Sequence, residues 1–275
     1  MLPRGAQIAG YEVEGVLGRG GMGIVYEARE PATGRAVALK VFAQANGMDS
    51  SFRRRFQREG RIQATIDHPS IATVFEAGEW EEALFIAMRL VRGPNLKALT
   101  IAGLEAERAV RILTPVGGAL DAVHAAGLTH RDVKPQNILV GEGDRAFLAD
   151  FGLTKGRRDT MLTRAGEFVG TIDYSAPEQI LGQPATAAAD VYSLGAVLYE
   201  CLTGTVLFPR HTDAAVMYAH LSEPPPPVTG ARPELPPALD EVLGRALAKD
   251  PHERQVSAGA LMNETARALG GYAAG

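Results

Sequence analysis

Apolar and polar residues alternate in the first third of the chain and recur at helical spacing afterwards. Tyr11 to Leu17 alternates and ends at glycines. Ile24 to Arg29 and Ala36 to Phe42 follow, joined by the turn Pro31-Ala32-Thr33-Gly34, and each run reads as a strand. Phe52 to Ile66 reads as a basic, amphipathic helix closed by His68-Pro69, because the residue before proline avoids helical dihedrals. Thr73 to Ala77 and Ala83 to Met88 read as a hairpin around Gly78-Glu79-Trp80-Glu81-Glu82. Beyond this the character changes. Glu105 to Ala126 reads as one long helix, in which Pro115 predicts a kink or a local break, and later periodicity is mostly helical. These patterns predict a boundary near Val91-Arg92-Gly93. A small, mostly β part (1–91) precedes a larger, mostly α part (92–269), and 270–275 reads as a linker-like tail.

Composition narrows the class. The chain has 275 residues, 46% hydrophobic and 22% charged, which excludes a disordered polymer and is long enough for a sizeable core. With 28 basic and 32 acidic residues there is no global basic field, so no nucleic-acid partner is expected. The one cysteine, Cys201, cannot close an internal disulfide, which points to a reducing, cytoplasmic compartment. Met1 to Gly5 lacks the apolar run of a signal peptide. Val191 to Phe208 is the nearest approach to a membrane span, but Glu200 near its middle would cost about 2.5 kcal/mol or more there. A buried core helix is the expectation, with no membrane contact by this chain itself. Pro224 to Pro227 reads as a stiff connector between two helices rather than a proline-ligand motif.

Three clusters carry chemistry. Gly18-Arg19-Gly20-Gly21-Met22-Gly23-Ile24-Val25 fits G-x-G-x-x-G-x-V, whose glycines let backbone approach phosphate oxygens closely. A strand, not a helix, follows it, so a hairpin lid is favoured over a dinucleotide-binding turn; alone it could be a mere glycine-rich turn. Lys40 ends the apolar run Val37-Ala38-Leu39. A buried ammonium there needs a carboxylate, for which Glu59 is the best candidate, although a surface lysine would serve the same pattern. His130-Arg131-Asp132-Val133-Lys134-Pro135-Gln136-Asn137 then matches H-R-D-x-x-x-x-N, followed by Asp150-Phe151-Gly152 and Ala176-Pro177-Glu178.

This ordered set, spanning roughly Tyr11 to Ala268, resembles the eukaryotic-type (Hanks-type) Ser/Thr protein kinase family. Lys134-Pro135 and Gly170-Thr171 resemble its Ser/Thr branch. The glycine-loop wording and Tyr218-Ala219-His220-Leu221 to Pro227 look most like bacterial receptor-type members. The resemblance implies an α+β, bilobal fold: a small, mostly β N-lobe with one main helix and a larger, mostly α C-lobe. It implies an ATP-dependent phosphotransferase acting on Ser/Thr hydroxyls of protein substrates, with Mg²⁺, or Mn²⁺ in its place. Asp132 would be the base, Lys134 a charge near the transferring group, and Asn137 and Asp150 the metal ligands. The ATP site would comprise Leu17, Gly18, Gly20, Gly21, Gly23, Val25, Ala38, Lys40 with Glu59, Met88 as gatekeeper, the backbone at Arg89 and Val91, and Leu139. Asp190 would anchor the catalytic loop, and Glu178 and Arg254 would form a buried ion pair. Thr171 would face the catalytic loop. Thr163, with Thr160 as the fallback, would be the activation-loop phosphosite received by Arg131 and Lys155, and self-association would serve autophosphorylation in trans. Bacterial relatives of this kind often continue through a linker into a membrane span, which would tether the domain to the inner membrane face.

Four positions depart from the pattern. Gly60 follows Glu59 inside the helix, at a propensity cost of about 1 kcal/mol, and predicts a loosely held element. Gln63 replaces an apolar residue, Arg89 an acidic one, and Pro115 interrupts the long helix. None removes a catalytic group. A catalytically dead nucleotide-binding scaffold is the alternative reading, but such proteins typically lose the lysine, the base or a metal ligand, and this chain keeps Lys40, Asp132, Asn137 and Asp150. A small-molecule phosphotransferase is disfavoured because Thr171 and Pro177-Glu178 resemble a peptide-docking loop.

Overall fold

The structure is a computed structural model that describes residues 2–20, 23–42, 50–81, 83–151 and 172–270. The chain divides into two compact units, Met1–Arg92 and Gly93–Gly275. In the first unit the alternating runs become strands: β1 (Gln7–Ile8), β2 (Tyr11–Gly20), β3 (Gly23–Glu30), β4 (Arg35–Phe42), then helix α1 (Ser50–Ala64), β5 (Val74–Trp80) and β6 (Ala83–Arg89). The strands form one antiparallel sheet in the order β1-β2-β3-β4-β6-β5. Because side chains alternate, Tyr11, Val13, Tyr26, Val37, Leu39 and Phe85 cluster as the core of one face. The division falls within Val91-Arg92-Gly93, and Arg92 has a reason to belong to the first unit: its guanidinium donates to Glu27 on β3 at 2.6 Å.

Gly60 corrects an expectation. It is buried on α1, and a Cβ there would lie 2.6 Å from the Cβ of Ala77 on β5. The glycine lets helix and strand approach closely, so its propensity cost comes with tighter packing rather than with a loose helix.

The second unit runs through α2 (Leu96–Ile101), α3 (Ala106–Ala125), the short hairpin β7 (Ile138–Val140) and β8 (Ala146–Leu148), α4 (Pro177–Ile180), α5 (Ala187–Thr203), α6 (Asp213–Ser222), α7 (Val228–Ala231), α8 (Ala238–Ala246) and α9 (Ala258–Gly270). Helix α5 is its centre: every residue from Ala189 to Leu202 is buried. It occupies the apolar stretch that contains Glu200, and that carboxylate is met by Lys97 and by the hydroxyl of Tyr174 at 2.5 Å. Among the described residues no helix is long and apolar enough to cross a membrane. Pro115 does not divide α3. The bond it forfeits is the one the Arg111 carbonyl would receive, and Arg111 is exposed, so water can take that place. Asp121 on α3 holds the start of α9: its carboxylate accepts from Ser257 Oγ at 2.9 Å, Ala258 N at 3.0 Å and Gly259 N at 3.1 Å. The prolines 224–227 connect α6 to α7.

A glycine-to-alanine change on a helix ordinarily stabilises it. Gly60→Ala should instead lower stability by about 1–3 kcal/mol through overpacking against Ala77, and Ala77→Gly in the same chain should recover part of the loss. Thermal or urea unfolding of both variants checks this; a stabilised Gly60→Ala would refute the packing role.

Candidate active site

The site is built from the second unit's loop between α3 and β7. Asp190, on α5, is fully buried, and its carboxylate collects three donors. Oδ2 accepts from the His130 amide at 2.7 Å and lies 2.7 Å from His124 Nε2; Oδ1 accepts from the Arg131 amide at 2.8 Å. Such a carboxylate is tolerable only with this bonding. Arg131 takes a left-handed backbone, φ 65°, which is rare for a side chain of its size and marks a segment held by its surroundings. Asp132 follows directly. Lys134 Nζ lies 2.8 Å from Asp132 Oδ2, and Asn137 Nδ2 donates to the same oxygen at 3.0 Å and to the Asp132 carbonyl at 2.8 Å. The three residues named from the motif therefore form one contiguous cluster around a half-buried carboxylate.

His130 is entirely buried. The Asp132 amide donates to its Nδ1 at 3.3 Å, which leaves Nε2 carrying the proton and donating to the Ala149 carbonyl at 3.1 Å. Burial holds its pKa below the ordinary histidine value, in keeping with this neutral tautomer. The ring packs on Phe151, centroids 4.8 Å apart. His130 thus ties the loop bearing Asp132 to the segment bearing Asp150, which also adopts a left-handed backbone, φ 56°. The Ala149 amide donates to the Asn137 carbonyl at 2.9 Å, fastening the two candidate metal-ligand segments together.

The donor set suits Mg²⁺. Asn137 spends its amide hydrogens on Asp132, so its side-chain oxygen is the atom able to ligate, and Asp150 adds a carboxylate; both are hard oxygen donors. Among the described residues no group of three or more His, Cys, Asp or Glu could hold a metal by itself. One or two protein oxygens completed by substrate phosphates is the arrangement Mg²⁺ favours.

In the first unit the register sorts the nucleotide candidates. Val25 lies opposite Lys40, and Ala38 opposite Met88, so these four share the sheet face turned away from the core cluster. Lys40 Nζ is 5.4 Å from the Phe42 ring centroid. Glu59 is buried on α1. Gly18 pairs with Val25, and Gly20 with Gly23 at the end of the glycine hairpin, while Leu17 is 48% exposed. Gly23 is obligatory, since a Cβ there would meet the Val41 carbonyl oxygen at 2.1 Å. Gly18 and Gly20 have open space where a Cβ would stand, which is room for a ligand to reach backbone. The Arg89 amide donates to the Thr73 carbonyl at 2.9 Å, and Val91 follows beyond the sheet. Leu139 lies in β7 of the second unit, opposite Phe147. Gly21, Lys155, Thr160, Thr163 and Thr171 lie outside the described residues.

Arg254 is buried and bidentate to Glu178, at 2.7 and 2.9 Å. Next to Glu178 sits a residue the motifs did not single out. Gln179 Oε1 accepts from the Ala176 amide at 3.1 Å, and Nε2 donates to the Arg131 carbonyl at 3.1 Å. It helps to wall a small open pocket that Asp132, Lys134, Tyr174 and Ser193 also line. His124 was likewise missed. Neither residue belongs to a local pattern; only folding brings them to the loop.

The protein kinase domain family matches residues 11–265. The serine/threonine-protein kinase PknE of Mycobacterium tuberculosis is 43% identical over 259 residues, covering 94% of this chain and 46% of that protein. PknJ of the same species is 43% identical over 279 residues, covering 99% and 47%. The chain thus spans about half the length of these curated relatives. The crystal structure of the M. tuberculosis PknI kinase domain superposes with a TM-score of 0.80 at 34% identity, covering 98% of this chain and all of that one. With fold, motif order and sequence in agreement, this chain belongs to the protein kinase domain family, among its bacterial serine/threonine relatives.

Proposed function

We propose that this chain transfers the γ-phosphoryl group of ATP to Ser/Thr hydroxyls of protein substrates. The observation that carries the reading is the Asp132–Lys134–Asn137 cluster on a loop clamped by Asp190. Phosphoryl transfer demands positioning and charge neutralisation more than covalent help. Asp132 receives the substrate hydroxyl's proton, and Lys134 holds that carboxylate in place and adds positive charge beside the transferring group. Asn137 and Asp150 hold Mg²⁺, which when bound neutralises phosphate charge. Lys40 meets the α/β-phosphates with Glu59 as its carboxylate. Leu17, Val25, Ala38 and Met88 pack the adenine, the backbone at Arg89 and Val91 hydrogen-bonds it, and the glycines 18 to 23 cover the phosphates. A domain that consumes ATP and carries one buried thiol suits the cytoplasm.

Asp132→Asn should lower kcat by about 100-fold or more while ATP still binds, since the proton acceptor goes but the nucleotide contacts stay. Radiolabel transfer to a generic protein substrate, alongside nucleotide binding, tests this; near-normal turnover would sink the assignment. Activity should vanish with EDTA and return with Mg²⁺ or Mn²⁺, and Asp150→Ala should lose metal-dependent nucleotide binding. Full turnover in excess chelator would contradict both metal roles.

Regulation follows from the loop between Asp150 and Glu178. A phosphate on Thr163 brings roughly −1.5 to −2 charge and three acceptor oxygens, for Arg131 and Lys155 to receive. Thr163→Ala should therefore reduce activity several-fold without unfolding the protein, with Thr160 the lesser site. Mass spectrometry of autophosphorylated protein and rates after phosphatase treatment check this. Equal rates from the first turnover for phosphorylated, dephosphorylated and Thr163→Ala protein would exclude the mechanism.

A further inference from the structure

The path of the backbone into Asp132 can be followed one peptide plane at a time. The plane joining residues 129 and 130 is held through the His130 amide, and the next through the Arg131 amide, both by Asp190. The plane after Asp132 is held at its carbonyl by Asn137. Between them lies the plane joining Arg131 to Asp132, which fixes where the Cα of Asp132 points its carboxylate. Its amide end is held by His130 Nδ1 through a long bond of 3.3 Å. Its carbonyl end is held by Gln179 Nε2 at 3.1 Å.

That plane needs two grips because Arg131 has a left-handed backbone, a conformation that persists only when its surroundings impose it. The other end of the Gln179 amide accepts from Ala176 N, in the segment that runs into α4. One planar side chain therefore spans the catalytic loop and the chain preceding the Glu178 ion pair. A plain capping role would account for the oxygen's bond to Ala176 but leaves the nitrogen's bond to Arg131 unexplained. We propose that Gln179 is a positioning residue for phosphoryl transfer: its side-chain NH₂ holds the Arg131 carbonyl, and so sets the orientation of the Asp132 carboxylate according to the placement of residues 176–179. The proposal rests on the kinase reading, with Asp132 as base.

Two variants separate positioning from capping. Gln179→Glu keeps an oxygen for the Ala176 amide but faces the Arg131 carbonyl with an acceptor. Gln179→Met removes both bonds. Gln179→Glu should lower kcat for peptide phosphorylation about tenfold, with KM for ATP within about twofold and a melting temperature close to wild type. Gln179→Met should show the same fall in kcat together with a lower melting temperature. Wild-type kcat in Gln179→Glu, or a change confined to KM, overturns the positioning role. Should Gln179→Glu fail to fold, Gln179→Lys keeps a donor and drops the cap: a kcat within about threefold of wild type supports the role, and a loss matching Gln179→Met overturns it. Wild-type protein without any phosphotransfer would bring down the kinase reading and this inference together, whereas an active wild type with an equally active Gln179→Glu removes the inference alone.

Discussion

Much of the second unit is organised around one buried carboxylate. Asp190 sits on the most buried helix, where an uncompensated negative charge would be costly, and it is made tolerable by two backbone amides and a histidine. The compensation runs both ways. The amides of His130 and Arg131 are themselves donors that would otherwise go unmet, and accepting them fixes the peptide planes that lead into Asp132. The left-handed arginine ahead of Asp132 is sustained by this arrangement rather than by its own preferences. The helix thus supplies the reference frame for the loop that carries Asp132, Lys134 and Asn137.

The same logic extends to the neighbouring segment. His130 is neutral because it is buried, and neutrality lets one nitrogen accept from Asp132 while the other donates to Ala149. A charged imidazolium would carry two donors and lose the bond to the Asp132 amide. Burial, tautomer and loop geometry are therefore a single constraint, to which the ring contact with Phe151 adds packing.

What could be read from the sequence divides along physical lines. The strands of the first unit declare themselves through period-two alternation, whereas Val25, Ala38 and Met88 were named through family resemblance and only the strand register puts them with Lys40 on the face away from the core. Asp132, Lys134 and Asn137 are legible as one spaced motif within a single loop, while the role of each rests on the family resemblance. Asp190 and Arg254 were reachable only through family resemblance, since nothing local distinguishes them. Gly60 was misread because helix propensity is a local rule and its partner, Ala77, belongs to another element. Pro115 costs α3 one internal bond without ending it, because packing along ten buried residues secures the helix on both sides. Gln179 and His124 had no signal at all, because a glutamine or histidine acquires such a role only from what folding sets opposite it.

Helix α4 is where these constraints meet. At four residues it has too few internal bonds to be stable alone, so something outside it must fix its position. Arg254 does so. Its guanidinium, with no exposed surface, binds both oxygens of Glu178 and the carbonyls of Ala188, Ala248 and Lys249. A buried ion pair is a poor source of net stability compared with apolar packing, but removing one partner is costly, about 3–5 kcal/mol, and its geometry is directional. Apolar contacts would let so short a helix slide or rotate with little penalty. A forked pair tied to three carbonyls does not, and a rotation of α4 would swing Gln179 away from the Arg131 carbonyl. The costly interaction is therefore placed where orientation matters more than affinity, at the base of the segment whose next side chain reaches the loop bearing Asp132.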